Sequence, residues 1–270
     1  MADRLKGLRI ALAGPRKAEE MAGMVTKMGG VPVLRPAQGT VFLDDDELRR
    51  GLLDWLDAPP DWAILTTGMG LDALFAMAET LDGEERLKDA LSRSKIAARG
   101  YKTVNALKKR GLSPDVRDDD GSTSGLIRQL EPYEFEGKSV VLQLHGDPAP
   151  RLTEWLGKAG AQTRQILPYR HVPPADEDLD ALLTDITEGG VDAVAFTSAP
   201  QFRFLIGRAR AAGRLEQLLA ALEGPVLAVA VGRITADALV EEGVKRIIVP
   251  EQERMGGMFL ELGRYLESRG

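Results

Sequence analysis

The two halves of this 270-residue chain repeat one another at a nearly constant spacing of 130 to 132 residues. The matching pairs are Gly7 with Gly137, Asp61 with Asp192, Gly100 with Gly232, Gly111 with Gly243 and Gly125 with Gly257. The local sequences agree as well, since GLRIALAG aligns with GKSVVLQLHG and ARGYKTVNALKKRGL aligns with AVGRITADALVEEGV. A general likeness among α/β units would explain the composition but not the steady spacing. The pattern therefore predicts an internal duplication.

One stretch in each half predicts a buried strand that ends in hydroxyl side chains. VDAVAFTSAP, residues 191–200, has a short apolar run between Gly189-Gly190 and Pro200, and DWAILTTGMG, residues 61–70, has the same design. Such runs are typical of parallel strands buried on both faces. In open α/β sheets, ligands bind beyond the carboxyl ends of the strands. We therefore expect two equivalent strand-end sites.

Strand and helix patterns alternate throughout the chain, which predicts an α/β fold with parallel sheets. Two segments, near Pro36 and near Tyr169, have the character of crossings between domains. If both are linkers, residues 1–36 and 172–270 form a discontinuous first domain and residues 37–171 form the second. The two linkers then form a two-segment hinge.

Composition excludes several classes of protein. The chain is 44% hydrophobic and 28% charged, with a formal net charge of −6, which opposes a broad nucleic-acid-binding surface. It has no cysteine, which excludes disulfides and thiolate chemistry and fits a reducing compartment. The first predicted strand, residues 8–13, leaves no room for a secretory signal, and no apolar run reaches the roughly 18 residues of a membrane span. We expect a cytoplasmic protein that binds neither nucleic acid nor membrane.

Cofactor motifs are weak. Residues 68–73 fit G-x-G-x-x-A after a strand, but the next strand ends in Arg99-Gly100 rather than in the acid that binds a dinucleotide ribose. No phosphate-binding GxxxxGK[ST] motif occurs. The aspartates at 44–46 and 118–120 fit helix starts or loops better than metal ligands. His145 and His171 stand in no recognisable triad spacing. The sequence predicts neither a cofactor nor a metal.

Seven stretches together resemble the uroporphyrinogen-III synthase family, over essentially the whole chain. They are GPRKAEE, TTGMG, ARGYKTVNAL, VVLQLHGD, LPYRHVPP, VDAVAFTSAP and AVGRITADAL. The TTG, QLHG and FTSAP variants are similar to the actinobacterial type, here without the C-terminal DNA-binding domain that some relatives carry. Thr67-Gly68 and residues 14–16 depart from the Ser-Asn and Thr-Arg of many relatives, which concerns individual contacts more than the reaction. The resemblance implies two flavodoxin-like domains joined by a two-stranded hinge.

The resemblance also implies an activity. The family closes the linear tetrapyrrole hydroxymethylbilane to uroporphyrinogen III in tetrapyrrole (heme, siroheme and cobalamin) biosynthesis, with loss of water and inversion of ring D through a spiro intermediate. This is a cyclising hydro-lyase reaction without metal or organic cofactor. The expected protein is a monomer whose partners are the small-molecule substrate and, by hand-over, hydroxymethylbilane synthase.

Family turns that line the substrate site map onto four strand-to-helix turns, where backbone N–H groups and helix dipoles favour carboxylates. The predicted substrate-binding residues are Arg16, Thr66, Thr67, Gly68, Tyr101, Lys102, Thr103, Thr197, Ser198, Ala199, Gly232, Arg233, Ile234 and Thr235. Tyr169, at the family's tyrosine position, is the candidate for assisting departure of the hydroxyl.

Structural alternatives stay open for these residues. The cations Arg16, Lys102 and Arg233 fit solvated surface positions equally well. Thr103, Thr235 and Ser198 fit helix caps, and Tyr169 fits a packed hinge aromatic. The rival function is a non-enzymatic, hinge-type tetrapyrrole sensor.

Overall fold

The computed structural model describes residues 4–146 and 148–268, which form an α/β structure. The strands are β1 (Arg9–Leu12), β2 (Val31–Leu34), β3 (Gly39–Phe42), β4 (Trp62–Leu65), β5 (Lys95–Ala98), β6 (Val116–Arg117), β7 (Ser139–Gln143), β8 (Gln162–Ile166), β9 (Tyr169–Val172), β10 (Ala193–Phe196), β11 (Leu227–Ala230) and β12 (Ile247–Ile248). The helices are α1 (Ala18–Lys27), α2 (Asp46–Asp57), α3 (Gly68–Thr80), α4 (Glu84–Arg93), α5 (Gly100–Lys108), α6 (Thr123–Leu130), α7 (Pro150–Lys158), α8 (Asp176–Thr187), α9 (Ala199–Ala211), α10 (Leu215–Glu223), α11 (Arg233–Glu241) and α12 (Met255–Glu267).

The chain divides into two compact units, one of residues 1–39 and 172–270 and the other of residues 40–171. The sequence placed these boundaries after residues 36 and 171. The chain passes from one unit to the other within β3 and again within β9, and these strands pair in a two-stranded sheet. Both segments had been expected as crossings between domains, and the family resemblance implied a two-stranded hinge.

Unit 1 holds a parallel five-stranded sheet in the order β2-β1-β10-β11-β12. Numbered along this unit, the order is 2-1-3-4-5, which is the flavodoxin-like arrangement. Side chains of β10 alternate between two apolar clusters: Val194 and Phe196 pack toward α8, α9 and α10, whereas Ala193 and Ala195 pack toward α1 and α12. Helices therefore cover both faces, as the unbroken apolar run predicted.

Unit 2 holds a second parallel sheet in the order β8-β7-β4-β5-β6. Its spatial order is the same as in unit 1 if β7 is counted first, so the chain of unit 2 is circularly permuted relative to unit 1. Here Trp62 and Ile64 face the cluster containing α6 and α7, and Ala63 and Leu65 face the cluster containing α2 to α5.

Equivalent contacts confirm the repeat. Asp192, just before β10, accepts hydrogen bonds from the backbone N–H and the guanidinium of Arg9, the first residue of β1. Asp61, just before β4, accepts from the backbone N–H and hydroxyl of Ser139, the first residue of β7. The pair of acids spaced by 131 residues thus joins the same two neighbouring strands in both units.

Several predicted boundaries were wrong. The sequence pattern predicts a helix from about Leu71 and another over residues 103–109. In the structure these helices begin earlier, at Gly68 and at Gly100. Helices α4 and α10 were not predicted. Within residues 4–146 and 148–268, no helix is long and apolar enough to cross a membrane.

Candidate functional site

Each unit has one place where neighbouring strands send their connections in opposite directions. In unit 1, β1 leads through α1 to β2 on one side, and β10 leads through α9 to β11 on the other. In unit 2 the corresponding strands are β7 and β4. Ligands of open α/β sheets bind beyond the strand ends at such switch points. Most of the predicted site residues follow these strands or β5 and β11 beside them.

Gln143, the last residue of β7, organises the switch point of unit 2. Its side-chain oxygen accepts from the backbone N–H groups of Thr66 (3.1 Å) and Thr67 (3.2 Å), and its Nε2 donates to the carbonyl of Leu144 and to Thr67 Oγ1 (3.3 Å). Thr66 Oγ1 in turn donates to the Gln143 carbonyl at 2.7 Å. With two acceptor and two donor bonds, this fully buried amide has one consistent orientation. Sequence reasoning missed Gln143, although QLHG was among the family stretches.

The hydroxyl of Thr67 links this network to Tyr169. Thr67 Oγ1 accepts from the backbone N–H of Gly70 (3.2 Å) as the cap of α3, and it also accepts from Gln143 Nε2. It lies 3.0 Å from the Tyr169 hydroxyl oxygen. A hydroxyl has two acceptor positions and one donor. Because both acceptor positions are occupied, Thr67 donates to Tyr169, and the Tyr169 proton is directed away from Thr67.

Tyr169, on β9, is buried, with 1% of its surface exposed. Its ring contacts the rings of Phe42 (centroids 6.2 Å apart) and His171 (5.4 Å). Gly146 also lies against it: a Cβ at Gly146, which has φ +88°, would stand 2.7 Å from Tyr169 Cε2 and 2.8 Å from His171 Cδ2. The glycine is therefore required both by its left-handed backbone and by the close approach of two rings.

His145 is partly buried and uncharged near neutral pH. Burial, together with the positive charge of Arg99 and then of His171, lowers the pKa of His145 from 6.5 to about 3. Its Nδ1 is buried and has no hydrogen-bond partner among the described residues. His145 immediately precedes Gly146 in the turn after β7.

The predicted residues of the turn after β5 differ in their exposure to solvent. Tyr101 is 66% exposed, Lys102 is also exposed, and the Lys102 ammonium lies 5.9 Å from the centre of the Tyr101 ring. Thr103 is buried, and its hydroxyl donates to the carbonyl of Arg99 at 2.6 Å. Since α5 begins at Gly100, the capping role considered for Thr103 was wrong: the residue lies inside the helix.

The switch point of unit 1 also depends on a buried glutamine. Gln201, on α9, accepts from the backbone N–H of Thr197 (2.8 Å) and donates to Thr197 Oγ1 (2.9 Å). Ser198 precedes α9, but its hydroxyl donates to Gln38 Oε1 at 2.5 Å and does not cap the helix. Ala199 is buried at the first position of α9, and Arg16 is exposed in the turn after β1. The predicted residues of unit 1 therefore follow β1 and β10, the two neighbouring strands of the switch point.

The turn after β11 is partly occupied by an acid that the sequence did not indicate. The backbone N–H of Arg233 donates to Glu253 Oε1 at 3.2 Å, and a Cβ on Gly232 would overlap the same carboxylate at 2.5 Å. Ile234 is 55% exposed, whereas Thr235 is buried. Gly232 is the residue that precedes α11, so the capping role considered for Thr235 was also wrong.

Neighbouring protein atoms explain the dinucleotide-like glycines. A Cβ on Gly68 would stand 2.5 Å from the carbonyl oxygen of Lys102, and one on Gly70 would stand 2.0 Å from Gln143 Nε2. These positions require glycine because a helix and a side chain pack against them. Among the described residues, no group of three or more His, Cys, Asp or Glu side chains could hold a metal ion.

Comparison with known proteins identifies the family. The model of the family described as uroporphyrinogen-III synthase HemD matches residues 19–259. The chain belongs to the uroporphyrinogen-III synthase family. The resemblance inferred from the sequence is thereby confirmed.

Individual relatives agree with this assignment. A mutant uroporphyrinogen III synthase from Thermus thermophilus is 35% identical, with a TM-score of 0.79 over 97% of this chain and 100% of that one. The Helicobacter pylori uroporphyrinogen-III synthetase, 17% identical with a TM-score of 0.53 over 100% of this chain and 99% of that one, shares the fold. An uncharacterized protein of Bacillus subtilis, YjjA, is 44% identical over 98% of both chains. The two parallel-sheet domains are thus those of uroporphyrinogen-III synthases.

Proposed function

We propose that this chain is a cyclising hydro-lyase that converts hydroxymethylbilane to uroporphyrinogen III, with inversion of ring D through a spiro intermediate. The observation that carries the proposal is the Tyr169 hydroxyl, which accepts from Thr67 in a member of this family. The pair lies beside the strand edge at which open α/β sheets generally bind ligands. A phenol oxygen that accepts a hydrogen bond donates its own proton more readily, because the bond stabilises the negative charge that remains.

Protons balance in this scheme without a cofactor. Tyr169 donates its proton to the substrate's terminal hydroxyl, the C–O bond breaks, and the departing water leaves an electrophilic azafulvenium cation beside the phenolate. The substituted carbon of ring D attacks to form the spiro intermediate, which fragments and recloses with the ring inverted. The final loss of a ring proton returns a proton to the phenolate, so the products are uroporphyrinogen III and one water.

Isomer selection is the main task of such an enzyme. Closure at the unsubstituted carbon of ring D gives isomer I and proceeds without catalysis, so the protein must favour one attack over another. Each tenfold preference requires about 1.4 kcal/mol of difference between transition states. Strand-edge N–H groups and hydroxyls that hold the substrate's carboxylates provide this by restricting a flexible chain. We propose that the predicted turn residues, from Thr66 in unit 2 to Thr235 in unit 1, bind the substrate's carboxylates directly or position the neighbouring groups that bind them.

We further propose a monomer that acts in the cytoplasm, receives hydroxymethylbilane by hand-over from its synthase, and uses neither nucleic acid nor membrane as a partner. The net charge of −6 and the absence of cysteine support this setting. Size-exclusion chromatography with light scattering tests the monomer, for which the expected mass is 29.3 kDa.

Resolution of product isomers tests the reaction. Hydroxymethylbilane is added, the product is oxidised, and isomers I and III are separated. Wild-type protein should give isomer III, and Tyr169→Phe should give a clearly lower turnover with the fold retained. Formation of isomer I alone at the uncatalysed rate would reject the enzyme and favour the tetrapyrrole sensor. An unchanged rate and isomer ratio in Tyr169→Phe would remove this tyrosine from the mechanism.

A further inference from the structure

The guanidinium of Arg99, at the strand edge of unit 2, has N–H groups that donate to no acceptor among the described residues. It immediately follows β5, and its Nε donates to the carbonyl of Thr66 (3.2 Å) while Nη1 donates to Thr123 Oγ1 (2.7 Å). A guanidinium carries five N–H donors. The contacts within the described chain therefore leave Nη2 and one Nη1 hydrogen without a protein acceptor.

No carboxylate of the described residues contacts Arg99 directly. Within residues 4–146 and 148–268, no acidic oxygen lies within 4.0 Å of its nitrogens. Asp118 is the nearby acid whose charge acts on it, but the Asp118 carboxylate already accepts from the backbone N–H groups of Gly100 and Gly121. Among the described residues, the hydrogen-bond partners of the Arg99 guanidinium are thus the neutral Thr66 carbonyl and Thr123 hydroxyl.

Burial makes this arrangement costly. Arg99 is mostly shielded from water, and burial lowers its pKa, opposed by the neighbouring Tyr169 and Asp118. A shielded charge without a contacting counter-ion is destabilising, and such groups concentrate at functional sites. The position equivalent to Arg99 in the repeat, Val231, is apolar, so the duplicated fold does not require a cation here.

We propose that Arg99 forms a carboxylate-binding subsite, in which its free N–H groups hold one acetate or propionate side chain of the tetrapyrrole against unit 2. The inference rests on the proposed function, because that function supplies a substrate with eight carboxylates. Arg99 is fixed by Thr66 and Thr123 before the ligand arrives, and its planar fork matches a carboxylate. The carbonyl it holds belongs to Thr66, next to the Thr67 hydroxyl that donates to Tyr169, so the subsite positions the substrate near the phenol.

Binding of stable porphyrins tests the subsite. The dissociation constants of uroporphyrin III, which has four acetates and four propionates, and coproporphyrin III, which keeps only the propionates, are measured by fluorescence titration. Arg99→Gln should weaken uroporphyrin III at least tenfold. Equal weakening of both porphyrins assigns the bound group to a propionate, and weakening of uroporphyrin III alone assigns it to an acetate. Unchanged affinity for both overturns the proposal.

Matched variants separate charge from structure. Arg128→Gln removes another arginine of unit 2, one that is exposed and paired with Asp119 and Asp120, and should leave both affinities unchanged. Arg99→Lys keeps the charge but loses the fork, so its affinity should lie between those of wild-type protein and Arg99→Gln; a lysine variant with full wild-type affinity would contradict recognition by the guanidinium fork. Thr123→Val removes only the Nη1 anchor, and a loss equal to that of Arg99→Gln would assign Arg99 a structural role instead.

The subsite and the proposed function can fail separately. If wild-type protein forms isomer III and Arg99→Gln binds uroporphyrin III normally, only the subsite is rejected. If wild-type protein binds uroporphyrin III through Arg99 but forms isomer I alone, only the reaction is rejected.

Discussion

Replacement of Thr67 by valine removes one hydroxyl and almost no volume. That hydroxyl accepts from the Gly70 N–H and from Gln143 Nε2, and it donates to Tyr169. Thr67→Val therefore removes the cap of α3 and frees the Tyr169 hydroxyl to rotate. Thr67→Ser retains the oxygen and is the matched control.

The magnitudes follow from these contacts. Loss of an N-cap hydroxyl costs about 1 kcal/mol, and loss of the bond to buried Tyr169 costs about 1 kcal/mol more, so unfolding should become easier by about 2 kcal/mol. Hydrogen bonds to a group that bears charge contribute about 1.5–3 kcal/mol. If Thr67 stabilises the developing phenolate, kcat should fall about 10- to 100-fold. Thr67→Ser should lose less than about threefold in kcat.

The assay combines urea unfolding with quenched-flow formation of uroporphyrin isomers from hydroxymethylbilane. Unfolding curves establish that each variant is folded under the conditions of the rate measurement. A folded Thr67→Val variant with wild-type kcat and a wild-type ratio of isomers III to I would refute the hydrogen-bond direction and the role of Thr67. A serine variant as slow as the valine variant would also contradict it.

Three other predictions concern stability, all measured by urea unfolding. The pKa of His145 is about 3 in the folded state, below its ordinary value of 6.5. As the pH decreases below 6.5, the unfolded state therefore binds a proton that the folded state does not, and the free energy of unfolding decreases. Between pH 6.5 and 5, wild-type protein should lose about 2 kcal/mol more than His145→Gln, and parallel losses would reject the shift. Gly146→Ala should cost more than about 2 kcal/mol of stability, because backbone strain and overlap with the two rings add. The control Gly213→Ala should cost about 1 kcal/mol, since φ there is +67° and a Cβ meets nothing within 4 Å. Equal costs would remove the ring contact as a cause. Gln143→Leu should cost about 3–5 kcal/mol, since it leaves buried backbone groups unpaired, and a cost below about 1 kcal/mol would contradict the amide network.

Sequence patterns predicted the features that arise from local composition or from spacing. The apolar runs around Ala63 and Val194 correctly predicted parallel strands buried on both faces. The repeat correctly paired Asp61 with Asp192, because a duplicated chain keeps equivalent contacts. The family resemblance was confirmed by a match to most of the chain.

Partners that come from distant parts of the chain were not predictable in the same way. Gln143 lies 77 residues from Thr66, and Glu253 lies 20 residues from Arg233, so neither adjacency nor periodicity places them together. The helix starts at Gly68 and Gly100 were predicted late because glycine is a poor helix former. Tertiary structure requires these glycines, since the Lys102 carbonyl packs against Gly68 and Gly100 has φ +75°. Thr103 and Thr235 were therefore considered caps when they lie inside helices.

The permuted connection of the two units has a consequence for biosynthesis. Unit 2 is continuous in the chain, so its strands are all synthesised within one span. Strand β1, by contrast, pairs with β10, with Ile10 opposite Ala193. At translation rates of about 5–20 residues per second, the β1–α1–β2 segment waits about 10–30 s for β10, the next strand of its sheet, to be synthesised. During that interval an apolar strand edge stays uncovered on the ribosome, so chaperone dependence should be concentrated in residues 4–39 and should disappear once β10 emerges.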